Sequence, residues 1–173
     1  MDTQHAGAVG FGLANFGAAQ LGDRRRRRRL VQTVDRMLSR PGGTLPDKLQ
    51  NPAELKGLYR LVDAEEVTHA AVLEAHRQLT LERMRACEGD VLIVHDTTEL
   101  DYTTRESLEG LGQIGNGSRR GYLCHNSLAV AAVSREVLGL ANQILHCRPI
   151  VPEGETRVAR RAREDRESRL WKR

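Results

Sequence analysis

Four consecutive aliphatic residues, Val91-Leu92-Ile93-Val94, run straight into His95-Asp96-Thr97-Thr98-Glu99-Leu100-Asp101-Tyr102, and this stretch constrains the chain more than any other. A short apolar run rich in branched side chains and bounded by Glu88-Gly89-Asp90 suits a strand buried on both faces, and such strands are central. Polar residues that begin abruptly where a central strand ends sit at the edge of the sheet, where open α/β sheets usually keep their ligands. Asp96 is therefore a candidate site residue. Asp-Thr-Thr can also simply turn the chain, because Asp and Thr side chains satisfy nearby backbone donors, and pattern alone leaves both readings open.

Helical periodicity dominates before this strand. Residues 1–10 read as a frayed, glycine-rich start, and Phe11 to Leu21 as a weak helix docking through Phe11, Leu13 and Phe16. Asp23 offers an N-cap oxygen to a helix reaching about Arg40, with Leu30, Val31, Val34, Met37 and Leu38 on one face, and Pro41-Gly42-Gly43 ends it. Asn51-Pro52 opens another helix that buries Leu55, Leu58, Tyr59 and Val62. A third follows Thr68 to about Cys87, with Val72, Leu73, Ala75, His76 and Leu79 turned inward. After the Val91 strand comes a loop from Thr103 to Gly121 containing five glycines. Tyr122 to Val133 then suits a second strand, Ser134-Arg135-Glu136 a turn, and Val137 to Cys147 a third strand, the last two forming an antiparallel hairpin.

Composition limits the classes of function. Hydrophobic residues make up 39% and aromatic residues 3% of the chain, which describes an aliphatic core, and the net charge of +4 favours a polyanionic partner. Cys87, Cys124 and Cys147 are odd in number and form no CxxC pair, so neither a disulfide framework nor a zinc knuckle is indicated and a cytoplasmic location is expected. No stretch resembles a signal peptide or a membrane span. His95, His125 and the His146-Cys147 pair lack the spacing of a ligand set, and the glycine-rich loop lacks the GxxxxGK signature of a nucleotide loop.

Much of the positive charge lies in Arg24–Arg29, six consecutive arginines at the start of a helix. Like charges at i,i+4 repel, and cations at a helix N-terminus oppose the helix dipole, each conflict costing about a few tenths of a kcal/mol. An external anion relieves all of them. Helix N-terminal donors together with guanidinium forks suit phosphate, so a nucleic-acid contact competes with the plainer reading of a solvated basic face.

Four motifs occur in order: Leu21-Gly22-Asp23 with the arginine run, Gly57-Leu58-Tyr59-Arg60-Leu61-Val62, the strand ending His95-Asp96-Thr97-Thr98-Glu99-Leu100-Asp101-Tyr102, and Gly121-Tyr122-Leu123-Cys124-His125-Asn126-Ser127-Leu128. Together they resemble the N-terminal part of bacterial insertion-sequence transposases of the IS-four type, on the Tn-five branch, over roughly residues 11–173. The resemblance implies an α+β protein with a helical DNA-binding unit at 1–88, followed at 89–173 by the first three strands of an incomplete RNase H-like sheet. It implies double-stranded DNA, the transposon terminal repeats, as partner, and a homodimer or a heterodimer with a full-length transposase. Asp96 matches the first catalytic and metal-binding carboxylate of a DDE triad that works with magnesium, or manganese in its place. Arg26 and Arg29 match arginines of the end-binding helix, and Arg24, Arg25 and Arg28 share that helix. Arg119 and Arg120 fall in a loop that the family keeps near its DNA. The remaining triad carboxylates match nothing after Asp96: Asp101 is too close, and Glu153, Glu155, Glu164, Asp165 and Glu167 lie in a polar tail. DNA binding without cleavage is therefore expected, with a stand-alone inhibitor of a full-length transposase or a decayed fragment as the other readings.

Overall fold

The computed structural model describes residues 10–115, 117–149, 154–164, 167 and 169. The expected frayed start at 1–9 and Glu153, Asp165, Leu170 and Trp171 of the polar tail lie outside the described residues. The architecture is α+β, helices followed by a four-stranded antiparallel sheet, and the chain divides into two compact units, Met1–Glu82 and Arg83–Arg173.

The first unit is built from α1 (Phe11–Phe16), α2 (Arg24–Ser39), α3 (Leu45–Leu49), α4 (Pro52–Val62) and the greater part of α5 (His69–Ala86). Asp23 caps α2 as expected, its carboxylate accepting the Arg25 N–H at 2.6 Å. Asn51 caps α4 in the same way, accepting the Ala53 N–H at 2.8 Å ahead of Pro52. Helix α3 lies in a stretch with no expected element. Its signal is the Thr44-x-x-Asp47 pattern, in which the Asp47 carboxylate accepts both the Thr44 N–H and its hydroxyl.

Leu21, Leu49, Leu58, Leu61, Leu30 and Ala19 form the core of this unit, with Phe16, Val34, Leu55 and Val72 packed against it. Several expected inward positions are corrected. Phe11 and Leu13 are exposed, and α1 instead buries Gly12 and Asn15, because the glycine lets it approach α2 so closely that a Cβ would sit 2.5 Å from the Val31 carbonyl oxygen. Tyr59 and Val62 are likewise exposed, and Leu61 takes the inward place that the expected face gave to them. Leu38 is exposed while Thr33 is buried.

The second unit carries β1 (Val91–Asp101), β2 (Gly112–Gln113), β3 (Arg120–Ala131), β4 (Val137–His146) and the short α6 (Arg157–Ala162). Strand β3 is central. It pairs along its length with β1 on one edge, and with β2 and then β4 on the other. The β3–β4 hairpin turns at Ser134-Arg135-Glu136, with Arg135 in the left-handed region at φ 60°. A fourth strand, the two-residue β2, arises inside the glycine loop where three strands in all were expected.

Two expectations about β1 fail. The strand does not end at Asp96 but continues through Asp101, because Thr97 and Thr98 are β-branched and prolong the pleat, and no turn residue intervenes. Nor is it buried on both faces: among the described residues it is an edge strand, with Leu92, Ile93 and Val94 exposed at 52%, 39% and 49%. Most of the buried positions of the sheet belong to β3, at Leu123, Cys124, His125, Ala129 and Ala131, with Leu138 on β4 beside them. A hairpin partner on one side and a long neighbour on the other enclose β3, whereas β1 gains pairing on one side only.

Candidate nucleic-acid interface and the Asp96 strand

Successive residues step about 100° around a helix, so a six-residue arginine run must wrap α2 and cannot present one uniform face. The structure sorts the run into two groups. Arg26 turns back toward its own unit, where its Nη1 donates to Glu66 Oε2 at 2.7 Å and to the Leu21 carbonyl at 3.2 Å. The hydrogen bond from Arg26 holds the Glu66 carboxyl below the usual range. Arg29 is half-buried, its guanidinium lying over Gly57 of α4.

Arg24, Arg25 and Arg28 are exposed, and they make no side-chain hydrogen bond or ion pair among the described residues. No acidic residue occupies the first turn of α2, so the capping Asp23 is the nearest acid to these charges along the chain. Three further cations share this freedom: Arg27 on α2, and Lys56 and Arg60 on α4. Sequence reasoning left them out of the candidate site. The signal that could have found Lys56 and Arg60 is the motif Gly57-Leu58-Tyr59-Arg60-Leu61-Val62, which contains Arg60 and which Lys56 immediately precedes.

Asp96 stands mid-strand and exposed. Its Oδ2 accepts a long hydrogen bond, 3.4 Å, from the Thr98 hydroxyl. Directly across the ladder is Asn126 of β3, and across from that is Gln143 of β4, whose Nε2 donates to Asn126 Oδ1 at 2.7 Å. Opposite residues share a face, so a row of three polar side chains crosses β1, β3 and β4. On the other face Thr97 Oγ1 meets the buried His125 Nδ1 at 2.6 Å. Burial holds the His125 imidazole below its ordinary value, with Glu167 opposing that shift and His146 adding to it.

Arg119 and Arg120, expected together as DNA contacts, are treated differently by the fold. Arg119 bridges Glu99 at 3.3 Å and Asp101 at 3.7 Å, while Glu99 also accepts the Gly115 N–H at 2.7 Å. This clamp ties the glycine loop to the end of β1. Gly115 has φ 56°, in the left-handed region that favours glycine, and the Arg119 guanidinium lies against it. Hydrogen bonds from the side chain and backbone of Thr103 hold the Asp101 carboxyl low, with help from Arg119. Arg120 is exposed, its backbone pinned by the Thr103 hydroxyl at 3.0 Å and its side chain uncommitted among the described residues.

Magnesium requires near-octahedral oxygen ligands, usually one or two carboxylates with several waters and substrate phosphates. Asp96 offers a single carboxylate, and no group of three His, Cys, Asp or Glu residues gathers among the described residues. Among the described residues this donor set does not fit a two-metal centre.

No described helix is long and apolar enough to cross a membrane. Residues 11–67 match a family model described as transposase DNA-binding. The matched segment contains α1, α2, α3 and α4, and with them every free cation of the helical interface. The match supports a transposase N-terminal region with a transposase-like DNA-binding role, and DNA as its partner.

Proposed function

We propose that the helical unit binds the terminal repeats of an insertion sequence of the IS-four type, similar to Tn-five, and that this chain acts in the cytoplasm by holding duplex DNA without cutting it. The observation that carries this reading is the set of free guanidinium groups, Arg24, Arg25 and Arg28, on the first turns of a capped helix inside the matched segment. Phosphate there would meet helix N-terminal donors and arginine forks together. Arg120 is a further backbone contact in the same reading. Asp96 corresponds to the first carboxylate of an RNase H-like DDE centre, and cleavage would require magnesium held by more carboxylates than Asp96 alone. A second reading of the same cationic surface is an end-binding protein that competes or heterodimerises with an intact transposase.

Titration of a labelled mixed-sequence duplex with rising salt tests the interface. Affinity is expected to fall log-linearly with salt, and replacing Arg24, Arg25 and Arg28 together by Ala to lower the slope by about three phosphates' worth of counterion and weaken binding about a hundredfold at moderate salt. A salt-independent curve, or a triple variant that binds as wild type, would remove the proposal.

A further inference from the structure

Gly57 interrupts the interior of α4, an eleven-residue helix in which glycine is the weakest helix former apart from the leading proline. It is absent from the positive-φ positions, so no left-handed backbone explains it. What explains it is the space above it. A Cβ built there would lie 2.7 Å from Arg29 Cζ and 2.9 Å from both Nε and Nη1. Three guanidinium atoms at nearly equal distance mean that the plane of the group lies across the Cα of Gly57. Its edge donors are unspent among the described residues.

Lys56 and Arg60 stand one residue before and three after Gly57, both exposed and both without an ion pair among the described residues. Glu54, one turn earlier on α4, is taken by Arg36 at 3.3 Å. Cations from two helices are thus grouped about one glycine, and none of the three makes an ion pair among the described residues. A flexible arginine loses side-chain entropy whenever it binds; one already laid flat against a neighbouring helix has lost part of it beforehand.

We infer that Gly57 is a positioning residue for DNA recognition: it seats the Arg29 guanidinium as a fixed donor plate between α2 and α4, with Lys56 and Arg60 flanking it, to engage a backbone phosphate of the duplex. The inference rests on the proposed DNA-binding function and extends the contact surface from α2 to α4.

Gly57→Ala tests it with little cost to the fold, because the added methyl favours the helix and displaces only the far end of a flexible side chain. Gly57→Ala, Arg29→Ala and the double variant are titrated with a labelled mixed-sequence duplex over a salt series, alongside thermal melting. Gly57→Ala is expected to melt at or above wild type, to bind about tenfold more weakly, and to lose about one phosphate from the salt slope. Arg29→Ala should match it, and the double variant should bind no more weakly than Arg29→Ala alone. The Arg29 Nε–H NMR resonance should move in Gly57→Ala. Wild-type affinity and slope in Gly57→Ala, an unmoved Arg29 resonance, or losses that multiply in the double variant would each overturn the inference. Failure of the wild type to bind duplex takes down the proposed function as well, whereas normal wild-type binding with an indifferent Gly57→Ala removes this inference alone.

Discussion

Helix α2 and strand β1 each concentrate charge that bears on function, and they are finished in opposite ways. In α2 the fold commits Arg26 to Glu66 and Arg36 to Glu54, caps the start with Asp23, and leaves the other arginines of the run without ion pairs among the described residues, above a core containing Leu21, Leu30, Leu58 and Leu61. In β1 the single carboxylate of Asp96 has one long contact to Thr98, and the aliphatic residues before it are exposed. The difference follows from the two chemistries. Binding a polyanion needs cations on one rigid element, so a single helical unit can carry it whole. Two-metal phosphoryl transfer needs several carboxylates brought together, whereas two of the three on β1, Glu99 and Asp101, are tied to Arg119 and no group of three ligands gathers among the described residues.

This contrast can be broken most forcefully at the core beneath α2. Leu21 is 1% exposed, and Leu21→Ala should destabilise the helical unit by about 2–5 kcal/mol in equilibrium denaturation, through lost burial and the cavity left behind. A cost below about 1 kcal/mol would mean that α2 does not stand on this core. A smaller effect is expected at the cap. Asp23→Ala removes the acceptor for the Arg25 N–H and should cost about 1 kcal/mol, yet it also removes an acid beside the arginines. Duplex affinity should therefore hold or rise about twofold while the melting temperature falls, and a parallel loss of both would show that the helix start serves binding only through stability. The smallest effect belongs to β1. Asp96→Asn should change stability by less than about 0.5 kcal/mol and leave duplex affinity unaltered, as expected of an exposed residue with one weak contact. A larger change in either would end the contrast, because Asp96 would then be part of the interface or of the sheet's support.

Elements whose signals are local were legible in the chain. Asp23 before the arginine run, Asn51-Pro52, Thr68, and the Ser134-Arg135-Glu136 turn between two apolar runs mark boundaries through side chains that bond to their own neighbourhood, and the structure keeps them. The Thr44-x-x-Asp47 box is equally local and was readable, but a five-residue helix after Pro41-Gly42-Gly43 offers too little periodicity to draw attention to it. The inward faces were less legible. Tyr59 and Val62 fit an apolar stripe on α4 as well as Leu61 does, and only the packing of the neighbouring helices selects among them.

Sequence by itself determined that helices precede a sheet, that a capped helix begins in six arginines, and that an aliphatic run passes into an acidic, hydroxyl-rich segment at Asp96. Those are consequences of periodicity, caps and composition, which act over one or two turns. Only tertiary structure decided that β3 and not β1 is the central strand, since rank in a sheet depends on which strands pair on both edges. It also decided which arginines keep their charge available. Arg26 meets Glu66, forty residues away in the chain, Arg119 meets Glu99 and Asp101 on β1, and Arg29 is laid over Gly57. A run of identical residues carries no information about its own partners; the partners come from elsewhere in the chain, and folding brings them there.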